Sequence, residues 1–216
     1  MAATLVLASA SPRRQALVGL LELAWRAAPA DIDEGRYVLA DPFVGALNVA
    51  AAKARAIAPS SASEVILAAD TLVVANGELL GKPADAERAC AMLGQLRGRA
   101  HMVVTGVALR TAAEQFWGGV VSTLVTMRHY ADGEIEEYVE RGEPFDKAGG
   151  YAVQDTLFRP VEKVDGCYLN VVGMPVCAVA TGLTTLGLDV HRPAIGTPPC
   201  GYCRIGAELV EVGSGC

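Results

Sequence analysis

Apolar residues open the chain with a short run and then recur at helical spacing. Leu5–Leu7 form a run that predicts a first β-strand. Ser11 and Pro12 follow, and these residue types favour the N-cap and the first position of a helix. The next apolar positions fit one helical face: Leu17, Leu20, Leu21 and Ala24. The pattern predicts a strand, a tight turn and a helix.

The same periodicities continue along the chain. They predict helices over residues 41–58, 84–96, 132–141 and 175–186. They predict strands over residues 65–69, ending at Asp70, and over 101–110 and 116–127, the last two as neighbours. Asn76-Gly77 lies between two apolar pairs and predicts a tight turn. This alternation indicates an α/β fold with a mixed sheet flanked by helices.

Composition bounds the domain organisation and the partners. A chain of 216 residues with 52% hydrophobic and 19% charged residues is long enough for one well-buried domain. We expect this domain over residues 1–188, and a tail or small appendage over 189–216, where prolines and glycines interrupt regular structure. The net charge of −6 argues against binding to nucleic acid polymers. No apolar run is long enough to predict a membrane span.

Cysteine usage bears on compartment and on metal binding. Six cysteines are too few for a disulfide scaffold and favour a reducing, cytoplasmic setting. Cys90, Cys167 and Cys177 lie in apolar patterns and are expected in the core. Cys200-x-x-Cys203 with Cys216 leaves a zinc site open, although a single pair is weak evidence. The first ten residues lack the basic segment of a signal peptide and fit a strand better.

Four cations stand out as candidates for an anionic ligand. Arg13 and Arg14 follow Pro12 in the first helical turn, where the helix dipole disfavours cations and where a bound phosphate chain would favour them. The alternative is a pair of solvated surface arginines. Lys82 in Gly81-Lys82-Pro83 is one residue short of P-loop spacing and lacks the following Ser or Thr, so a Walker NTPase is excluded. With Lys53, these cations would suffice for a triphosphate.

Two carboxylates are candidates for metal binding or acid–base chemistry. Asp70 follows a buried strand, which would suit a Mg²⁺ ligand or a general base, or alternatively a residue that caps a turn. Glu34 ends an Asp31–Glu34 acidic cluster that would hold a hard cation or form a solvated loop. His101 has no nearby His or Cys to complete a transition-metal site and is expected to be structural. These residues suit a phosphorylated ligand with Mg²⁺.

The order of the motifs resembles that of a known family. The blocks are Ser9-Ala10-Ser11-Pro12-Arg13-Arg14, Asp33-Glu34, Lys53-Ala54, Ala68-Ala69-Asp70-Thr71, Gly81-Lys82-Pro83, His101-x-x-x-Thr105-Gly106, Asp146 to Gln154 (DKAGGYAVQ) and Asn170 to Pro175 (NVVGMP). Each block alone is weak, but together they are specific. Over roughly residues 4–187 the chain resembles the Maf family of nucleoside triphosphate pyrophosphatases, also called septum formation proteins.

The resemblance implies a fold related to inosine triphosphate pyrophosphatases, with a catalytic cleft beside a long mixed sheet. It implies hydrolysis between the α and β phosphates, giving a nucleoside monophosphate and pyrophosphate, with Mg²⁺ or Mn²⁺ as cofactor. Asp70 would be the catalytic residue, and Glu34 and Asp70 would hold the metal. The residues that would bind the substrate are Ser9, Arg13, Arg14, Lys53, Thr71, Lys82 and Gln154.

Three residues point to one branch of the family. At Arg13, Thr71 and Gln154 the sequence resembles the branch that acts on dTTP and UTP. The branch that acts on 7-methyl-GTP typically carries Trp in place of Arg13 and Gln in place of Thr71. The amide of Gln154 would pair with the N3–H and a carbonyl of uracil or thymine. Arg13 and Thr71 would shape the base pocket, and Arg14 would remain a general phosphate contact.

Two other functions stay open, and three residues depart from the family's usual pattern. The alternatives are a pyrophosphatase for 7-methyl-GTP or modified purines, and a nucleotide-binding regulator of cell division. The favoured function would limit incorporation of non-standard nucleotides, and a homodimer is left open. Asp155 stands where the family often has Gly, and Arg97 and Cys167 stand where Ser is more common; each could shift specificity or have no effect.

Overall fold

A mixed β-sheet organises the part of the chain that the computed structural model describes, residues 3–37 and 39–190. Its strands are β1 (Thr4–Leu7), β2 (Ala24–Ala27), β3 (Glu64–Ala75), β4 (Glu78–Leu80), β5 (Ala100–Thr111), β6 (Phe116–Met127) and β7 (Val161–Asp165). The α-helices are α1 (Pro12–Val18), α2 (Pro42–Ala56), α3 (Ala86–Leu96), α4 (Asp132–Glu140), α5 (Tyr168–Val172) and α6 (Val176–Thr185).

The strand order is β2-β1-β3-β5-β6-β7, with β4 paired to β3. β1 runs parallel to both β2 and β3, and the other pairs are antiparallel. Helix α2 packs against β3 and β5 on one face, and α5 and α6 pack against β5 and β6 on the other. The predicted α/β class, with a mixed sheet flanked by helices, is confirmed. No helix among the described residues has the length and apolar character to cross a bilayer.

One edge of β3 is interrupted. β5 pairs with β3 from Val65 to Val74 along one edge. On the opposite edge β1 pairs with residues 64–67 and β4 with residues 73–75. Within the described part of the chain, residues 68–72 therefore have no strand partner on that edge. We call this opening between β1 and β4 the notch.

Two predicted elements were wrong in their extent. Asp70 does not end a strand but lies inside β3, because the apolar alternation resumes at Leu72 and β5 continues to pair with it. Ala24 does not belong to the first helix. A 3-10 turn at Gly19–Leu21 ends that helix, Glu22 adopts a left-handed conformation with φ 55°, and Ala24 begins β2.

A glycine sets the distance between α2 and the sheet. Gly106 of β5 pairs with Asp70 of β3. A Cβ atom at Gly106 would lie 2.4 Å from the carbonyl oxygen of Ala46 in α2, well inside contact distance. Because Gly106 has no side chain, the α2 backbone lies close to the sheet beside Asp70.

The predicted cysteine positions agree with the structure where it describes them. Cys167 and Cys177 are buried and Cys90 is partly buried. The zinc hypothesis for Cys200, Cys203 and Cys216 lies outside the described residues, as does most of the expected tail. The domain boundary at residue 188 stays a prediction.

Candidate active site

A cleft of about 760 Å³ opens at the notch. Its walls come from the loop after β1, the start of α1, the middle of β3, the end of β4, and the segments around residues 146–154 and 171–173. All the site residues expected from the sequence line it: Ser9, Arg13, Arg14, Glu34, Lys53, Asp70, Thr71, Lys82 and Gln154. The fold therefore brings together residues that are far apart in the chain.

Lys53 joins the two candidate carboxylates. It lies in the last turn of α2, and its Nζ is 2.8 Å from Asp70 Oδ1 and 2.7 Å from Glu34 Oε1. Lys53 and Asp70 are each 7% exposed, whereas Glu34 lies at the exposed rim. The three side chains form one ion-paired group that runs from the buried part of the cleft to its rim. We call this group the carboxylate pair with its lysine.

This arrangement fits a hard divalent cation. One oxygen of each carboxylate lies within 2.8 Å of the same ammonium nitrogen, so the two carboxylates lie close together in the cleft. Among the described residues there is no cluster of three or more acidic, His or Cys side chains that could hold a metal unaided. Mg²⁺ is commonly bound by one or two carboxylates together with substrate phosphates, and the residues present match that mode.

Arg14 is built into the wall of the cleft. Its Nε donates to the carbonyl of Gly173 at 2.9 Å and its Nη2 to Thr71 Oγ1 at 3.2 Å, and its Nη1 lies 3.5 Å from Ser9 Oγ. Burial lowers the pKa of this guanidinium, while the carboxylates of Asp70 and Glu34 oppose the shift. Arg14 thus links the loop after β1, strand β3 and the end of α5.

Arg13 faces a different partner across the cleft. Its Nη1 lies 2.8 Å from Asp146 Oδ2, and Lys147 Nζ lies 2.6 Å from the other oxygen of Asp146. Asp146 and Lys147 belong to the DKAGGYAVQ motif, but spacing along the chain does not show that they meet Arg13. The pair bridges the start of α1 and the segment before Tyr151.

Lys82 and Gln154 present their side chains to the open part of the cleft. Both are exposed, and Lys82 makes no ion pair with any described residue. Gln154 also lines a second, smaller cavity of about 410 Å³. Lys82 is therefore available to an incoming anion, and Gln154 lies between the main cleft and the smaller cavity.

A row of polar side chains crosses the core behind the cleft. Thr71 Oγ1 lies 2.9 Å from Thr105 Oγ1, which donates to the carbonyl of Asn170 at 3.4 Å. Asn170 Nδ2 in turn donates to Thr123 Oγ1 at 2.9 Å. Thr105 and Asn170 both fall in the quoted motifs, but sequence spacing did not show that they continue the Arg14–Thr71 contact.

His101 is structural, as expected from the sequence. Its Nε2 lies 2.7 Å from the hydroxyl of Tyr151, and burial lowers its pKa to about 4. Burial also raises the pKa of Tyr151. The pair fixes the start of the loop that carries Gln154.

The departures from the family pattern have local structural partners. Asp155 pairs with Arg141 and accepts hydrogen bonds from the amides of Leu157 and Phe158. Arg97 pairs with Asp132. The amide of Cys167 donates to Thr123. None of the three departing residues lines the main cleft.

Comparison with known proteins gives consistent matches. A protein called dTTP/UTP pyrophosphatase from Thermomicrobium roseum is 47% identical over 207 residues, which is 94% of either chain. One of the same name from Anaeromyxobacter dehalogenans is 47% identical over 193 residues, 88% of this chain and 97% of that protein. Among solved structures, a HAM1 protein from Coxiella burnetii is 21% identical with a TM-score of 0.39, covering 57% of this chain and 73% of that one.

A family model described as Maf-like protein matches residues 4–186. This range contains the strands and helices described above and every residue that lines the cleft. With relatives of that identity over nearly its whole length, the chain belongs to the Maf family.

Proposed function

We propose that this protein hydrolyses nucleoside triphosphates, with dTTP and UTP preferred, to a nucleoside monophosphate and pyrophosphate in the cytoplasm. The observation that carries this proposal is the carboxylate pair with its lysine, which lies in one cleft with Arg13, Arg14 and Lys82. The name shared by the relatives, dTTP/UTP pyrophosphatase, supports the choice of pyrimidine nucleotides. Such an activity would limit incorporation of non-standard nucleotides.

Charge supports a polyphosphate as the ligand. The protein as a whole carries a net charge of −6, but the cleft gathers four of the cations predicted from the sequence. Lys82 is unpaired among described residues and would make an early contact. Arg13 would exchange its pairing with Asp146 for phosphate oxygens, since phosphates are strong acceptors for guanidinium groups.

Glu34 and Asp70 would hold Mg²⁺ or Mn²⁺ jointly with phosphate oxygens. Such an ion, when bound, polarises phosphoryl oxygens and offsets the charge that develops on the leaving pyrophosphate. Both carboxylates already contact one cation, the ammonium of Lys53.

Asp70 is the residue that we assign to proton transfer. Its Oδ1 is occupied by Lys53, whereas its Oδ2 has no hydrogen bond to another described residue. That oxygen would accept a proton from the attacking water. The water oxygen forms the new bond to phosphorus, the P–O bond between the α and β phosphates breaks, and pyrophosphate carries away the electron pair.

Pyrophosphate release from a panel of nucleotides tests the proposal. The panel contains dTTP, UTP, 7-methyl-GTP and a modified purine triphosphate, each with Mg²⁺, with Mn²⁺ and with a chelator. We expect metal-dependent release, fastest from dTTP and UTP, and a loss of about a thousandfold or more in Asp70→Asn if its proton transfer and its metal contact are both removed.

The control is Asp165→Asn, an exposed carboxylate at the end of β7, which should keep wild-type rates. Preference for 7-methyl-GTP or the purine would overturn the pyrimidine assignment. Absence of metal-dependent release from every nucleotide would overturn the enzyme proposal and favour a nucleotide-binding regulator of cell division.

A further inference from the structure

We infer that Lys53 occupies the place of the divalent cation in the nucleotide-free protein, so that metal and nucleotide bind cooperatively. This inference rests on the proposed function for its choice of ligands. The structural basis of the inference is the position of Lys53 Nζ, which lies 2.8 Å from Asp70 Oδ1 and 2.7 Å from Glu34 Oε1. The ammonium thus contacts both carboxylates expected to bind the metal.

The same carboxylate oxygens cannot serve both cations at once without strong repulsion. A Mg²⁺ ion binds oxygen at about 2.0–2.1 Å, so an ion shared by these oxygens would lie against the ammonium of Lys53. Lys53 and Asp70 are both almost completely buried, and water therefore screens their charges poorly. A metal ion that binds Asp70 Oδ1 and Glu34 Oε1 without nucleotide must displace the lysine from both, and this lowers its affinity.

A bound nucleotide favours displacement of Lys53 by the metal in two ways. Its phosphate oxygens add ligands for the metal, and they provide a new anionic partner for the displaced ammonium. Lys53 lines the same cleft as Lys82 and Arg13, so its flexible side chain reaches the phosphate region from the end of α2. Because coupling between two ligands is reciprocal, the metal should raise nucleotide affinity by the same factor.

An alternative role for Lys53 would be purely structural, as a partner for buried Asp70. That role predicts a less stable protein when the lysine is removed. Removing a positive charge beside two carboxylates would strengthen metal binding in either role, so Mn²⁺ affinity alone does not separate them. A purely structural lysine predicts that a nucleotide raises Mn²⁺ affinity by the same factor with and without Lys53, whereas displacement of the lysine predicts a smaller gain without it.

The test is a titration of the full-length, nucleotide-free protein with Mn²⁺, followed by electron paramagnetic resonance of the unbound ion. Lys53→Met removes the charge and keeps a side chain of similar length. We expect it to bind Mn²⁺ about tenfold more tightly than wild type, a typical size for coupling between sites. The matched control, Lys82→Met, removes a cation from the same cleft that does not contact the carboxylates, and its Mn²⁺ affinity should rise far less.

A second titration needs no substitution. A non-hydrolysable α,β-methylene analogue of dTTP should raise the Mn²⁺ affinity of the wild-type protein by about tenfold or more, and this gain should shrink in Lys53→Met. Unchanged or weaker Mn²⁺ binding by folded Lys53→Met, or equal wild-type affinity with and without the analogue, would overturn the inference. Failure of the proposed function would show separately, as absent pyrophosphate release.

Discussion

Asp70 and Thr71 are consecutive residues of β3 that serve opposite faces of the sheet. Asp70 Oδ1 accepts a hydrogen bond from Lys53 of α2, whereas Thr71 Oγ1 accepts one from Arg14 of α1. Successive side chains of a strand point to opposite faces, and here both reach the cleft because β3 is open at the notch. One short stretch of strand therefore supplies a carboxylate for chemistry and a hydroxyl that anchors the opposite wall.

Thr71→Val should destabilise the protein and weaken nucleotide binding. Valine keeps the shape of the side chain but leaves Arg14 Nη2 and Thr105 Oγ1 without this partner, which should cost about 1–3 kcal/mol in the free energy of unfolding. Urea denaturation measures this loss. The control is Thr126→Val, whose hydroxyl has no hydrogen bond to another described residue; an equal loss in both variants would contradict the role of Thr71.

Gly106→Ala should lower the free energy of unfolding by about 3 kcal/mol, the upper end of the usual range for overpacking, because a clash with backbone cannot be relieved by rotating a side chain. The new Cβ would lie 2.4 Å from the carbonyl oxygen of Ala46 and push α2 away from Asp70. The melting temperature and the rate of pyrophosphate release should both fall. Gly133→Ala in α4, where a Cβ meets no atom within 4 Å, should be neutral or stabilising. Wild-type stability in Gly106→Ala would refute this close packing.

His101 should make the protein less stable as the pH falls from about 6.5 to about 4. Its pKa is lowered to about 4 in the folded protein by burial, from an ordinary value of 6.5. In that window the unfolded state binds the extra proton, so protonation favours unfolding. The lost stability approaches about 3 kcal/mol below the window.

His101→Gln should remove this component, so its free energy of unfolding should fall less between about pH 7 and about pH 4.5 than that of wild type. Urea denaturation at the two pH values measures the difference. His129 is exposed, and His129→Gln should retain the wild-type slope. Identical slopes in wild type and His101→Gln would show that His101 does not carry the effect.

Asp146→Asn should lower KM for the nucleotide by about threefold, because it releases Arg13 from its ion pair and makes the cleft more positive. Stability should change by less than about 1 kcal/mol, since the Asp146 side chain is 59% exposed. Steady-state kinetics with dTTP measures KM. Asp132→Asn, which removes an exposed partner of Arg97 outside the cleft, controls for the change in net charge. A higher KM in Asp146→Asn would mean that Asp146 orients Arg13 productively.

Gln154→Ala should reduce the preference for dTTP and UTP over 7-methyl-GTP. The amide offers a donor and an acceptor to the edge of a pyrimidine base, and its loss should cost about 1 kcal/mol or more per hydrogen bond. The measurement is the ratio of kcat/KM values for the three nucleotides. An unchanged ratio would remove Gln154 from base recognition.

Periodicity predicted the long elements well because their buried faces are regular. Ala89, Leu93 and Leu96 of α3 are buried, as their helical spacing indicates, and Asn76-Gly77 forms the turn between β3 and β4, with φ of 51° and 81°. Strands β2 and β7 were missed. Both are short and lie at the outer edges of the sheet, so few of their side chains are buried and no clear alternation results.

The composition of the cleft was predicted from motifs, but its pairings were not. The sequence grouped Arg13 with Thr71 and set Arg14 apart, yet Thr71 contacts Arg14, which Gly173 also binds, while Arg13 faces Asp146. These partners lie far along the chain, and only the packing of α5 and of the segment before Tyr151 brings them near. Local spacing holds no information on such contacts.

The notch also bears on which partners the unpaired edge of β3 can accept. An unpaired strand edge is normally a template for pairing with another chain, and β3 has such an edge at residues 68–72, of which 68–70 are buried. Here β1 closes one end and β4 closes the other, so an extended segment from a second molecule has no continuous edge to follow. At the notch, β3 can thus turn an unpaired stretch of backbone toward a small ligand while denying an added strand the length that it needs.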